Sequence, residues 1–260
     1  MAQAKEAQTR MAQNKQDGRY SCAFDIGGTF TDFVLLDRQS QKLHLHKTLT
    51  TPCDPAKGAI EGLEQLLDKA AIGFSDLSLA AHGTTLVTNL VIERRGARTA
   101  LITTEGFRDI IEFGTEQRYD VHDIFLKFPD PIVPRSRRYE VTERMSHAGD
   151  VIQPVNLDQV ASIMDAAVAD GVAAVAVVLL HSYRNNAHER LIEQFVRQQY
   201  PQIRVSTSSD VCGEIREYER AITTVVNAYA QPKIEPYLDR LQSELTTLAS
   251  AVGDLAKGGM

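Results

Sequence analysis

Residues 25–32 read Asp-Ile-Gly-Gly-Thr-Phe-Thr-Asp, with a short apolar run on either side, Ser21-Cys22-Ala23-Phe24 before and Phe33-Val34-Leu35-Leu36 after. Two strand-length runs parted by a glycine pair predict a hairpin, because Gly27 and Gly28 reach backbone angles that other residues avoid. Without a Cβ, their N–H groups can also come close to a ligand, as a concave anion site requires. Thr29 and Thr31 add hydroxyl donors, and Asp25 and Asp32 flank them. An acid at the end of the first strand repels a bare phosphate but suits one that arrives with Mg²⁺, which takes one or two carboxylates, water and phosphate oxygens. Two readings stand side by side: a nucleotide-phosphate hairpin, or a Gly-Gly turn that only reverses the chain. The hydroxyls and flanking acids favour the first, since a turn alone has no use for them. The stretch is neither a P-loop nor a dinucleotide fingerprint: it has no Gly-Lys-Ser/Thr, and a strand follows the glycines where those motifs need a helix.

Charge and hydropathy narrow the class. A net charge of -6 and a pI near 5.7 argue against a nucleic-acid surface. With 43% hydrophobic and 24% charged residues in 260, the chain suits a soluble protein of one large or two ordinary domains. The longest apolar run, Val172 to Leu180, is strand-sized, so no membrane span is expected. Cys22, Cys53 and Cys212 lie far apart with no CxxC spacing, which suits a reducing compartment. The polar opening, residues 1–18, lacks a signal-peptide core and reads as a disordered tail on a cytoplasmic protein.

Along the chain, Lys42 to Thr50 alternates Leu43, Leu45 and Leu49 with His44, His46 and Thr48, which predicts a third strand with one buried, apolar face. Asp54-Pro55 opens a helix with Ala59, Ile60, Leu63, Leu66 and Leu67 as its inward stripe. Leu77 to Ala81 is a strand ending on His82-Gly83-Thr84-Thr85, followed by a helix to Arg95 and a strand from Thr99 to Thr103. In open α/β sheets ligands gather at the carboxyl ends of strands, and helix starts offer free N–H groups. Thr84 and Thr85 are therefore candidates for holding phosphate or substrate, with a plain N-cap as the alternative for Thr84. Gly106 to Asp109 opens a short segment that leads into Gly114 to Tyr119, and from there to Arg138 the chain shows no clean period and reads as a long loop; Arg108, Glu116 and Arg118 face a substrate or form surface ion pairs. A second βαβα unit starts near Arg135, with Val172 to Leu180 as a strand buried on both sides and His181 to Asn185 at its carboxyl end. Glu214 to Leu248 reads as helices that Pro232 and Pro236 interrupt.

Four stretches carry a resemblance: FDIGGTFTDFVLLD (24–37), HGTTLVTNLVIERRGARTALITTEGFRD (82–109), VLLHSYRNNAHER (178–190) and EIREYERAITTVVNAYAQP (214–232). In this order they resemble the amino-terminal part of the hydantoinase A/5-oxoprolinase family, and residues 114–129 look like its N-methylhydantoinase A type. The resemblance implies an α/β chain: an RNase H-like (actin/hexokinase/Hsp70-like ATPase) half with a second βαβα subdomain. The expected organisation is a tail at 1–18, a phosphate-binding domain at 19–134, a second subdomain with carboxyl-terminal helices at 135–248, and a frayed end at 249–260. It implies ATP and Mg²⁺ as cofactors, with Gly27, Gly28, Thr29, Phe30, Thr31 and Asp32 around the phosphates. Asp25 would handle Mg²⁺ through water, and Asp25, His82, Thr84 and Thr85 would form the catalytic, substrate-facing set. The implied reaction is phosphorylation and opening of a hydantoin, 5-oxoproline or similar lactam, in company with a hydantoinase B-type subunit. A subunit of an acetone/acetophenone-type carboxylase and a non-catalytic fragment are the alternatives. The family supplies a second acidic Gly-Gly-Thr hairpin that these 260 residues lack, so the expectation is either a truncated or split product or a missing half on another chain.

Overall fold

The computed structural model describes residues 19–51, 54–115 and 122–255. The strands and helices are, in order, β1 (Tyr20–Ile26), β2 (Phe30–Asp37), β3 (Leu43–Leu49), α1 (Pro55–Ala70), β4 (Leu77–Thr84), α2 (Leu86–Ile92), β5 (Thr99–Thr104) and α3 (Ile110–Phe113). There follow β6 (Arg138–Val141), β7 (Arg144–Met145), β8 (Val151–Gln153), α4 (Leu157–Ala169), β9 (Ala174–Val178), α5 (Ala187–Gln199), β10 (Arg204–Thr207), α6 (Ser208–Val211) and α7 (Glu217–Leu255). The chain divides into two compact units, Met1–Asn89 with Ile234–Met260, and Leu90–Lys233.

The first unit holds a sheet in the order β3-β2-β1-β4, an antiparallel meander with β4 added parallel to β1. This is the strand arrangement of the RNase H-like half of actin-like ATPases. One face carries Cys22, Phe24, Ile26, Phe33 and Leu35, buried against α1 and against Tyr237 and Leu241 of α7. Helix α1 begins where its sequence predicts: the Asp54 carboxylate accepts the Lys57 N–H at 3.3 Å, and Pro55 fills the first turn. Its Gly62 lies against the sheet so closely that a Cβ there would sit 2.4 Å from Phe33 Cζ. That approach buries Leu63 and Leu66 completely, worth about 1.5–3 kcal/mol each.

The same helix inverts β3. The expected buried leucines point away from α1, with Leu43, Leu45 and Leu49 at 56%, 72% and 69% exposure. The half-buried face is the one bearing His44, His46 and Thr48, where His46 Nε2 meets Gln65 at 3.1 Å. Alternation identified two faces, but the helix covers the polar one.

The second unit is built on a parallel sheet, β10-β9-β5-β6, with a small β7-β8 hairpin beside it. Every residue of β9 is buried. Ala100, Ile102, Val175 and Val177 pack on one face with α4 and α5, while Leu101, Ala174, Ala176 and Val178 pack on the other with Ala221, Val225 and Ala228 of α7. A strand covered on both sides needs apolar residues at every position, which is why Val172 to Leu180 shows no alternation.

Two expectations on organisation change. β5 pairs with β6 and β9 and so belongs to the second sheet, which puts the boundary after Asn89 rather than after residue 134. Pro232 and Pro236 do not break α7, which runs from Glu217 to Leu255 through both. Residues 1–18, Cys53 and residues 256–260, which also carry expectations from the sequence, lie outside the described residues. No described helix is long and apolar enough to cross a membrane.

Candidate functional site: the β1–β2 turn

Residues Gly27, Gly28 and Thr29 join β1 to β2. The Gly27 N–H is used within the turn, donating to Phe30 O at 3.0 Å. The carbonyls face Thr50, just past β3: its hydroxyl donates to Gly27 O at 2.9 Å and its N–H to Thr29 O at 2.9 Å. A trans peptide sets C=O and the following N–H on opposite sides. Fixing Gly27 O on Thr50 therefore turns the Gly28 N–H the other way, outward. Among the described residues, the Gly28 and Thr29 amides have no protein partner, and both residues are exposed. The outward Gly28 N–H and the unpartnered Thr29 N–H next to it are the kind of donor pair that an anion takes.

Sheet register places the flanking side chains in two rows on opposite faces. On the open face run Lys47, Asp32, Asp25 and Gly83, paired in sequence across β3, β2, β1 and β4. Lys47 Nζ lies 2.9 Å from Asp32 and 4.9 Å from the centre of the Phe30 ring. Asp32 is thereby held in a surface ion pair. Asp25 is exposed and, among the described residues, takes part in no ion pair or hydrogen bond. Gly83 keeps its flank clear, since a Cβ there would meet Asp25 Oδ1 at 3.4 Å. The arrangement leaves one unpaired carboxylate at the foot of two free amides.

The covered face carries His46, Phe33, Phe24 and His82, again in register. Their ring centroids are 5.9, 5.7 and 4.8 Å apart in turn, and Tyr237 closes the row 5.7 Å from His82 with its hydroxyl 2.5 Å from His82 Nε2. Burial lowers the His82 pKa and raises that of Tyr237 to about 12. His82 is therefore a packing residue of the aromatic row. It lies on the opposite face of the sheet from Asp25, whose charge still reaches it and opposes the lowering by burial.

The other candidates divide likewise. Thr31 is 1% exposed and shares a 3.1 Å hydrogen bond with Thr50, so its hydroxyl braces the turn from beneath instead of facing a ligand. The Thr84 hydroxyl accepts the Leu86 N–H at 3.1 Å and lies 3.4 Å from Ile26 O, so it is spent on the backbone where β4 turns into α2. Thr85 is exposed, its N–H 3.4 Å from Ile26 O, beside the turn. Phe30 stands 43% exposed at the start of β2. Arg108 lies 3.7 Å from Glu140, a surface ion pair; Glu116 and Arg118 fall outside the described residues. Two neighbours escaped the sequence reading. Thr50 is the latch just described, and Asn89, one turn into α2, places its amide nitrogen 3.9 Å from where a Gly28 Cβ would stand. No local motif marks either, because pairing across the fold brings them to the turn. Among the described residues, no three His, Cys, Asp or Glu side chains converge as a metal cluster.

The chain is similar to several known proteins. The chain is 38% identical over 222 residues to an uncharacterized protein of Methanocaldococcus jannaschii, covering 84% of this chain and 32% of that one. It is 33% identical over 233 residues to the caprolactamase subunit alpha of Pseudomonas jessenii, covering 86% and 33%. It is 32% identical over 238 residues to the acetophenone carboxylase gamma subunit of Aromatoleum aromaticum, covering 85% and 32%. A crystal structure of the ATP-dependent caprolactamase from Pseudomonas jessenii superposes with a TM-score of 0.76 over 88% of this chain and 34% of that one, at 32% identity. The chain thus spans about a third of the length of the relatives it matches. Residues 22–200 match the hydantoinase/oxoprolinase N-terminal region, and the chain belongs to that family.

Proposed function

We propose that this chain provides the nucleotide-phosphate site of an ATP-dependent enzyme that activates and opens a cyclic amide, acting with a B-type subunit. The observation that carries it is the outward amide of Gly28 with the unpartnered amide of Thr29 at the same exposed turn, on a hairpin that also bears the unpaired carboxylate of Asp25. The donor set fits ATP and Mg²⁺: two N–H groups and the Thr29 hydroxyl suit phosphate oxygens, and one carboxylate suits a cation that brings oxygen ligands of its own. When bound, ATP would supply a transferable phosphoryl group that turns the amide oxygen into a leaving group. The chain's part is positioning and charge balance. Thr50 holds the turn so that the Gly28 amide needs no reorganisation on binding, and Lys47 engages Asp32 so that Asp25 is the carboxylate left without a partner for the cation. Gly83 leaves that carboxylate accessible. Relatives named caprolactamase and 5-oxoprolinase support the cyclic-amide class.

Calorimetric titration with ATP and Mg²⁺ tests the site: heat that saturates by millimolar nucleotide is expected, and its absence rejects the proposal. With a B-type subunit and a lactam added, ADP should appear in step with ring opening. Ring opening that persists without ATP rejects the mechanism. The 32% identity to an acetophenone carboxylase subunit supports a second reading, a carboxylase, which predicts ADP release that depends on a ketone and bicarbonate instead.

A further inference from the structure

The second unit holds a polar pocket that the proposed nucleotide site does not use. It has a volume of about 450 Å³ and is lined among others by Gly149, Ser182, Tyr183, Arg184, Asn186 and Ser209. Its walls are the loop after β9, the start of α6 and the tip of the β7–β8 hairpin. It therefore sits at the carboxyl edge of a parallel sheet, where open α/β folds bind ligands.

The walls are fixed from behind. Arg220, 1% exposed, donates from Nη1 to Ser182 Oγ at 2.8 Å and from Nη2 to Leu179 O at 2.7 Å. Ser208 Oγ donates to the buried Glu189 carboxylate at 2.6 Å, so the 3.0 Å contact between Ser182 and Ser208 runs with Ser182 as donor. A buried cation and a buried anion are thus joined through two hydroxyls, each proton with one place to go. Asn185 ties the hairpin to the loop, its Nδ2 donating to Gly149 O at 2.8 Å.

The front is unspent. Among the described residues Arg184 takes part in no ion pair, and it is exposed. The nearby acid Asp210 is already bound by Arg190 at 2.8 Å. Asn186 makes no side-chain cap to α5, and the Ser209 hydroxyl is shielded from solvent without a hydrogen-bond partner. A shielded hydroxyl without a partner is costly unless a ligand completes it. One unmatched guanidinium calls for one negative charge, and a planar fork matches a carboxylate. The surrounding hydroxyl and amide groups call for a polar remainder. We propose that this pocket binds a small polar carboxylate, with Arg184 on the carboxylate and Ser209 and Asn186 on the rest of the molecule. The inference goes beyond the phosphate site and stands without it.

Amide NMR titration of the chain with N-acetylglycinate, its uncharged amide N-acetylglycinamide, and inorganic phosphate tests this. N-acetylglycinate should move the Gly149, Ser182 to Asn186 and Ser209 signals and saturate at millimolar concentration. The uncharged probe should bind about tenfold more weakly, and Arg184→Met should weaken N-acetylglycinate by about the same factor, with Arg184→Lys retaining part of the affinity. Ser209→Ala should also weaken it. Equal binding of the charged and uncharged probes, preference for phosphate, indifference to Arg184→Met, or shifts confined elsewhere would each overturn the proposal, as would no saturation. The Gly28 and Thr29 signals report the nucleotide site separately, so failure of one reading is distinguishable from failure of the other.

Discussion

Replacing Gly28 by Ala separates what the turn does for folding from what it does for binding. A Cβ at position 28 would have Asn89 Nδ2 at 3.9 Å as its nearest neighbour, an ordinary contact, and Gly28 does not occupy the left-handed region. Folding therefore has no use for that glycine. Restricting the unfolded chain should leave stability unchanged or raise it by about 0.4–1 kcal/mol. Binding is another matter, because the new methyl group stands beside the outward N–H where a phosphate oxygen must approach. Losing one charge-assisted hydrogen bond costs about 1.5–3 kcal/mol, or roughly ten- to a hundredfold in Kd for ATP with Mg²⁺. Thermal unfolding and calorimetric titration on the same preparation read both quantities. Unchanged nucleotide affinity with unchanged stability would refute the reasoning, and so would a large loss of stability, because the site would then be a structural turn.

Thr50→Val removes the latch on Gly27 O, and is expected to cost about 1–3 kcal/mol of stability and to weaken ATP as the Gly28 amide loses its fixed direction; denaturant unfolding and calorimetry check it. Gly62→Ala is expected to destabilise by about 1–3 kcal/mol in urea unfolding, since the added Cβ would meet Phe33 at 2.4 Å, and to leave ATP affinity unaltered in the native population. Burial holds the His82 pKa below its unfolded value of about 6.5, so the unfolded chain takes up the proton first and stability should fall as pH drops below about 6.5; His82→Phe should flatten that slope without touching ATP binding. Cys22, its thiol pushed up to about 11, should resist alkylation in the native protein while half-buried Cys212 reacts, as peptide mapping would show.

Much of the fold can be read from local pattern, and what cannot has a common cause. The hairpin at residues 25–32 can be read from its two apolar runs and the polar stretch between them, although neither Gly27 nor Gly28 takes the positive φ that the glycine pair suggests, and β9 can be read from an apolar run that a doubly covered strand requires. Which face of β3 is covered depends on α1, whose Gly62 brings it down onto the His46 and Thr48 side; no residue within β3 carries that information. His82 reads as a polar group at a strand end, yet its register opposite Phe24 sends it to the aromatic row. One position further on, Gly83 lies beside Asp25. A shift of one residue between β1 and β4 would have exchanged them. Thr50 and Asn89 were missed for the same reason: they reach the turn only once three strands and a helix have assembled.

The most direct test of the account is an amide NMR titration of the chain with ATP and Mg²⁺. The account predicts that the Gly28 and Thr29 amide signals move furthest and saturate, and that Asp25→Asn reduces the Mg²⁺ dependence while the His82 ring signals stay in place. Saturating shifts that leave Gly28 and Thr29 still would contradict it.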